Sequence, residues 1–285
     1  MEATFRGRPL QSPERPDTFY AFVAGLYAAA LLSPAAVVAL ALWVSGDPGV
    51  LYVGLLAAVT TIVAVTAWGV SRWRGLPERI GASRFAWGLA VLPVVAVAGY
   101  FVAVAAIETP AVDAGAVVGF LLGALGIVVG IGLAVMSRNR YAEAVVDGER
   151  VEAVWTAGWP ERQRLRFQYA SLVAMSLLVP VWAAGYLWDA LWIGTVANLL
   201  FLPVILLGNL GRERTYRATP AGLERKNPVS RYVYQWDRFE SYEVTDEVIV
   251  IRWRSRWRPA IRCARAEIEE EDAAVDALGR YLSRS

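Results

Sequence analysis

The sequence predicts a polytopic α-helical membrane protein: six transmembrane helices in three hairpins, followed by a small β-rich cytoplasmic domain ending in a helix. Three observations predict it. Six stretches long enough to cross a bilayer contain no Asp, Glu, Lys or Arg. Every basic residue lies outside them, in alternate connections and at the two ends of the chain. From Arg212 onward the chain turns densely charged.

Composition agrees. Hydrophobic residues make up 56% of the chain and charged residues 19%, where an ordinary soluble domain carries about 25% charged residues. Mean hydropathy is +0.41. The charge is segregated, which is the pattern of a membrane domain joined to a soluble one.

A helix needs about 20 apolar residues to span a hydrocarbon core of about 30 Å. The six stretches are residues 19–44, 49–70, 85–107, 114–136, 169–188 and 190–209. The first exceeds the apolar core of a signal peptide, about 7–15 residues. Residues 45–48, 108–113 and Asp189 are tight turns, so the spans pair as three hairpins. The domain organisation is a tail over 1–18, a membrane domain over 19–211 with a polar loop at 137–168, and a C-terminal domain over 212–285.

Orientation follows from Arg and Lys. The N-terminal tail holds three, the connection after the second span four, the 137–168 loop six and the C-terminal tail fifteen, together all 28. The three short turns hold none, only Asp47, Glu108, Asp113 and Asp189. Positive charge stays cytoplasmic, so the expected topology in the cell membrane has both termini inside. Trp43, Tyr52, Trp68, Trp73, Trp87, Trp188 and Trp192 lie near span ends, where amphipathic rings anchor helices.

The fourth span carries Gly115, Gly119 and Gly123, then Gly126 and Gly130, each set at a spacing of four. Such a face lets another helix approach closely. Intramolecular packing is the plain expectation, with a homodimer or a conduction path as the alternatives. Asn198 is the costliest polar group in the spans, because an amide in hydrocarbon needs partners. Interhelical hydrogen bonding and ligand contact are its two readings. Pro34, Pro93, Pro180 and Pro203 sit within spans and read as kinks.

Much chemistry is excluded by composition. The chain has no histidine and one cysteine, Cys263. It therefore has no Ser–His–Asp or Cys–His set and no histidine-ligated zinc site. No phosphate-binding or dinucleotide-binding glycine motif is present. The spans lack the carboxylates that ion-coupled transporters use as relays. The acidic run Glu267, Glu269, Glu270, Glu271 and Asp272 reads as the first turn of a terminal helix rather than a metal site. The expectation is a protein that is not an enzyme and carries no cofactor and no metal.

The tail reads as short strands and one helix. Residues 215–219 and 222–226 are strand candidates around the turn Pro220-Ala221-Gly222. Further extended pieces cover 231–236, 239–245, 247–257 and 260–264, and a helix covers 267–282. Within the polar 137–168 segment, a short helix extension is expected over 141–147 and a strand over 148–155. Arg252, Arg254, Arg256 and Arg258 alternate with Trp253, Ser255 and Trp257. On a strand this sets four guanidinium groups on one face and two indoles on the other. Headgroup contact by these arginines and Trp257 is the functional reading. A solvated face paired with tail acids, with the tryptophans in the core, is the structural one. Nucleic acid is not expected, because fifteen basic residues in the tail are balanced by thirteen acids.

The order of these pieces resembles the small bacterial pleckstrin-homology-like domains attached to membrane helices. The matching residues are Tyr216-Arg217-Ala218-Thr219 with Gly222-Leu223, the run Tyr234 to Phe239, Val248 to Ile251, and the closing 275–282 segment. The resemblance covers the tail alone and carries no catalytic motif. The Trp- and Arg-rich end at 255–259 departs from the pattern. It implies a membrane-tethered module that meets a protein partner or anionic lipid. The alternative is a transporter or channel for an uncharged or hydrophobic solute, lined by the glycine-rich span and Asn198.

Overall fold

The computed structural model describes residues 4–5, 8–9, 16–106, 110–146, 149–188 and 190–284. It divides into two compact units: Met1–Gly148 with Pro228–Tyr232, and Glu149–Asn227 with Val233–Ser285.

The first unit opens with two short paired strands, β1 (Thr4–Phe5) and β2 (Arg8–Pro9). Helix α1 (Thr18–Trp43) starts where the Asp17 carboxylate accepts the Tyr20 N–H at 2.6 Å. Asp47 caps α2 (Pro48–Arg72) in the same way, accepting from Gly49 and Val50. These acids satisfy N–H groups that a helix start leaves open. Gly75, at φ +69, then turns the chain into the short α3 (Leu76–Ala82). A 3₁₀ turn over Arg84–Trp87 leads into α4 (Gly88–Ala106), and α5 runs from Pro110 to Val146.

Helix α5 is the axis of this unit and packs against α1, α3 and α4. Tyr20, Ala24, Tyr27 and Leu133 form its buried centre. The Tyr27 hydroxyl donates to the Leu89 carbonyl at 2.7 Å, holding α1 to α4. The expected fourth span ended at residue 136, but the helix continues through a polar sequence to Val146. Its extension is held by α3, whose Gly81 sits directly on the Ser137 carbonyl and the Tyr141 side chain.

The second unit contains β3 (Ala153–Ala157), the helical pair α6 (Glu161–Leu187) and α7 (Leu191–Gly208), and the C-terminal elements. These are β4 (Arg214–Thr219), β5 (Gly222–Lys226), β6 (Arg231–Tyr234), β7 (Phe239–Val244), β8 (Val248–Trp253), β9 (Ile261–Ala264), α8 (Glu271–Gly279) and β10 (Ser283–Arg284), apart from Arg231 and Tyr232 at the start of β6, which belong to the first unit. One sheet has the order β3-β4-β5-β6 and the other β10-β7-β8-β9. Alternate side chains of both sheets enter one core with α8. Trp155, Tyr216, Leu223, Phe239, Ile249, Ile251 and Cys263 are among its buried members.

Three expectations are corrected here. The 137–168 segment is less of a loop than expected: the expected helix extension is continuous with α5 and ends at Val146, the expected strand lies at Ala153–Ala157, and the chain is helical again from Glu161. The C-terminal domain is consequently not confined to 212–285, because β3 pairs with β4 along its whole length. The closing helix is shorter than 267–282. Residues Arg265–Glu267 form a 3₁₀ turn, α8 stops at Gly279, and the chain then adds β10 parallel to β7. Leu282 still reaches the core, from outside the helix.

Among the described residues, four helical segments are long and apolar enough to cross a bilayer: Thr18–Trp43, Pro48–Arg72, Val117–Val146 and Glu161–Gly185. A fifth would be the pair Leu76–Ala82 and Phe85–Tyr100, which is bent by 109°. These apolar helices are compatible with insertion into a membrane.

Candidate functional site

The arginine–tryptophan run is divided by the fold. Strand β8 ends at Trp253, so the two-faced strand expected over Arg252–Arg258 does not form. Trp253 turns into the core, stacks on Phe239 at 4.5 Å, and donates its indole N–H to the Pro259 carbonyl at 3.0 Å. Arg252 pairs with Glu243 at 2.6 Å. The Arg258 amide closes the following turn on the Ser255 carbonyl at 3.2 Å.

This turn presents Arg254, Arg256 and Arg258 to the outside, with the Arg258 guanidinium 5.3 Å from the Trp253 ring centre. Trp257 stands at its tip, 96% exposed. A loop anchored by one buried indole therefore displays a second indole among cations. That combination suits a surface with an anionic, partly apolar boundary.

The foot of α6 is joined to the β elements of its own unit. The Gly158 amide donates to Glu267 at 2.5 Å, and its carbonyl accepts from the Ala264 amide at 2.8 Å. Arg164 bridges Glu213 and Glu267 at 3.3 and 3.2 Å. Arg262 donates to Gln163 at 3.0 Å. Gly211, at φ +78, passes under the Trp159 ring, where a Cβ would stand 2.9 Å from the Trp159 Cβ. Arg162 and Arg166 remain exposed on α6. Two residues of the acidic run are engaged structurally: Glu267 as above, and Glu271 with Arg265 at 2.8 Å. Among the described residues, no group of three or more Cys, Asp or Glu is arranged to hold a metal.

The glycine face of α5 is filled from within the chain. Gly119 meets Tyr100, Gly123 meets Val97, Gly126 meets Pro93, and Gly130 meets the Leu89 carbonyl and Tyr27. The side chains of α4 and α1 occupy the space that a sister helix or a conduit would need. Gly115 lies within α5, but its surroundings, like the Asn198 side chain, are outside what the structure describes. Between α6 and α7, Ser171 donates to the Val204 carbonyl at 2.7 Å, and Gly185 lies against Gly194.

Sequence reasoning missed two features. The first is a buried polar cluster at the α3 end of α5. Tyr20 and Ser137 share a hydrogen bond of 2.8 Å while Ser137 donates to the Leu133 carbonyl. Glu78 of α3 is buried nearby, with one carboxylate oxygen unpartnered among the described residues. Only the lone acid in a basic connection hinted at it. The second is Trp155, whose place in the core required knowing that β3 joins the tail.

Burial sets the chemistry of the remaining titratable core groups. The Cys263 thiol is pushed up to about 12 by burial, so it stays protonated and unreactive near neutral pH. Tyr281 is pushed up to about 12 by desolvation and by its hydrogen bond to Glu152. Compared with protein families, with characterised proteins and with solved structures, the chain matches none.

Proposed function

We propose that this chain is a six-span integral membrane protein, with both termini cytoplasmic, whose β module binds anionic lipid headgroups and performs no catalysis. Helices α4 and α7, of 19 and 18 residues, supply the two spans beyond the four long segments. Neither carries an Asp, Glu, Lys or Arg. The positive-inside distribution of arginine supports the orientation. Two four-stranded sheets closed by a helix support a pleckstrin-homology-like reading of the module.

The observation that carries the functional reading is the β8–β9 turn, where a 96% exposed Trp257 stands among three exposed arginines. Each arginine near an anionic surface contributes about 1 kcal/mol, so three together account for roughly a hundredfold in affinity. The test uses the full chain in detergent, titrated with dihexanoylphosphatidylglycerol or dihexanoylphosphatidylcholine. Hydrogen exchange at residues 254–258 is the readout. The phosphatidylglycerol should protect the turn at low salt, less so at high salt, and not in a variant carrying R254Q, R256Q and R258Q. Equal exchange with both lipids would overturn the proposal.

A further inference from the structure

The headgroups that the turn meets have two sources, the protein's own bilayer or an opposing one. The geometry points to the protein's own, and we infer that the β8–β9 turn and the foot of α6 form one headgroup site in the membrane that holds the helices. This inference rests on the reading above.

Two contacts fix the direction. Ala264 is hydrogen-bonded to Gly158, ahead of α6, and Arg262 is hydrogen-bonded to Gln163, inside its first turns. The two contacts run in opposite senses along the two elements: moving back along β9, from Ala264 to Arg262, corresponds to moving forward into α6, from Gly158 to Gln163. Forward along α6 lies the apolar stretch that begins at Tyr169. Back along β9 lies the turn with Trp257.

The lengths match. From Glu161 to Tyr169 the helix rises about 12 Å at 1.5 Å per residue. From Ala264 to Ile261 the strand covers about 10 Å at 3.3 Å per residue. The few residues beyond carry Trp257 to the level where α6 changes from charged to apolar. An indole is most favourable at that depth. Arg166 lies three residues beyond Gln163 and therefore on the same side of α6, one turn nearer the apolar stretch. It is exposed, as Arg254, Arg256 and Arg258 are. Arg166 and the three turn arginines thus line one level and take phosphate-bearing headgroups together, with Trp257 seated at the hydrocarbon boundary.

The test exploits Cys263. It is the only cysteine and is fully buried, so Trp257→Cys on the full chain gives one labelling position for a spin label. Ser255→Cys provides a second position that keeps the indole. The protein is placed in nanodiscs of phosphatidylcholine with and without phosphatidylglycerol, and label accessibility to oxygen and to a nickel chelate is measured. Shielding from nickel and access to oxygen within the anionic nanodisc alone is the expected result. Arg166→Gln should weaken the dependence on anionic lipid about fivefold, the effect of one arginine near the surface. A label that changes only when separate anionic vesicles are added would overturn the same-membrane geometry and leave headgroup binding standing. A label indifferent to both would overturn both.

Discussion

Trp155, from the connection between α5 and α6, stacks on Tyr216 of β4 with ring centres 5.8 Å apart and planes 20° apart. The C-terminal module therefore takes an edge strand and one of its buried core aromatics from a segment that precedes the last two helices. Those helices are built into the module's chain path.

Trp155→Ala should cost the second unit about 3–5 kcal/mol, the usual result of emptying a large buried aromatic site. Thermal unfolding of the full chain in nanodiscs checks this. A fragment limited to residues 212–285 lacks β3 and should show no cooperative transition.

Gly81 and Gly69 make a matched pair. A methyl on Gly81 would collide with the Ser137 carbonyl, whereas a methyl on Gly69 meets nothing within 4 Å. Gly81→Ala should destabilise the first unit by about 1–3 kcal/mol. Gly69→Ala should be neutral or stabilising by up to about 1 kcal/mol, as alanine is the better helix former. Unfolding of the two variants in the same detergent provides the comparison.

Asn139 grips a backbone segment with both ends of its amide. Its Nδ2 donates to the Val229 carbonyl at 3.0 Å, and its Oδ1 accepts from the Arg231 amide at 2.7 Å. Asn139→Leu removes both bonds, and the Arg231 amide should exchange with solvent at least several-fold faster. Unchanged exchange there would show that the clamp contributes nothing.

The Cys263 thiol rises from 9.0 to about 12 on burial. The folded state then holds its proton more tightly than the unfolded state. The associated stability is complete below the unfolded value and is lost as pH climbs through 9 toward 12. Tyr281, raised from 10.0 to about 12, acts in the same direction. Thermal stability of the full chain should fall across this alkaline range, and Cys263→Ala should flatten the fall.

Local chemistry made much of the fold legible. Charge-free runs mark the helices, Asp47 marks the start of α2, and Pro220-Ala221-Gly222 marks the turn between β4 and β5. What was not legible depends on distant partners. That the helical piece expected at 141–147 continues α5 without a break depends on α3, which packs against it through Gly81. The assignment of β3 to the tail depends on pairing with β4, which no short window of sequence reveals. In the arginine–tryptophan run, strict alternation suggested a strand through Trp257. The Ser255–Arg258 turn ends that alternation after Trp253, so one indole is buried and the other displayed. Strand periodicity cannot register such a turn, because each residue in it is compatible with both conformations.

The central claim is a helical membrane domain with the basic turn of its module on the cytoplasmic side. Side-specific labelling tests it most directly. Ser45→Cys and Asp246→Cys, the latter exposed in the β7–β8 turn of the same module, are expressed separately in the full chain and treated with a membrane-impermeant maleimide, before and after permeabilising the cells. The account predicts that Ser45→Cys reacts in intact cells and that Asp246→Cys reacts only once the membrane is opened. Reaction of Asp246→Cys in intact cells, or reaction of both positions from the same side, would contradict it.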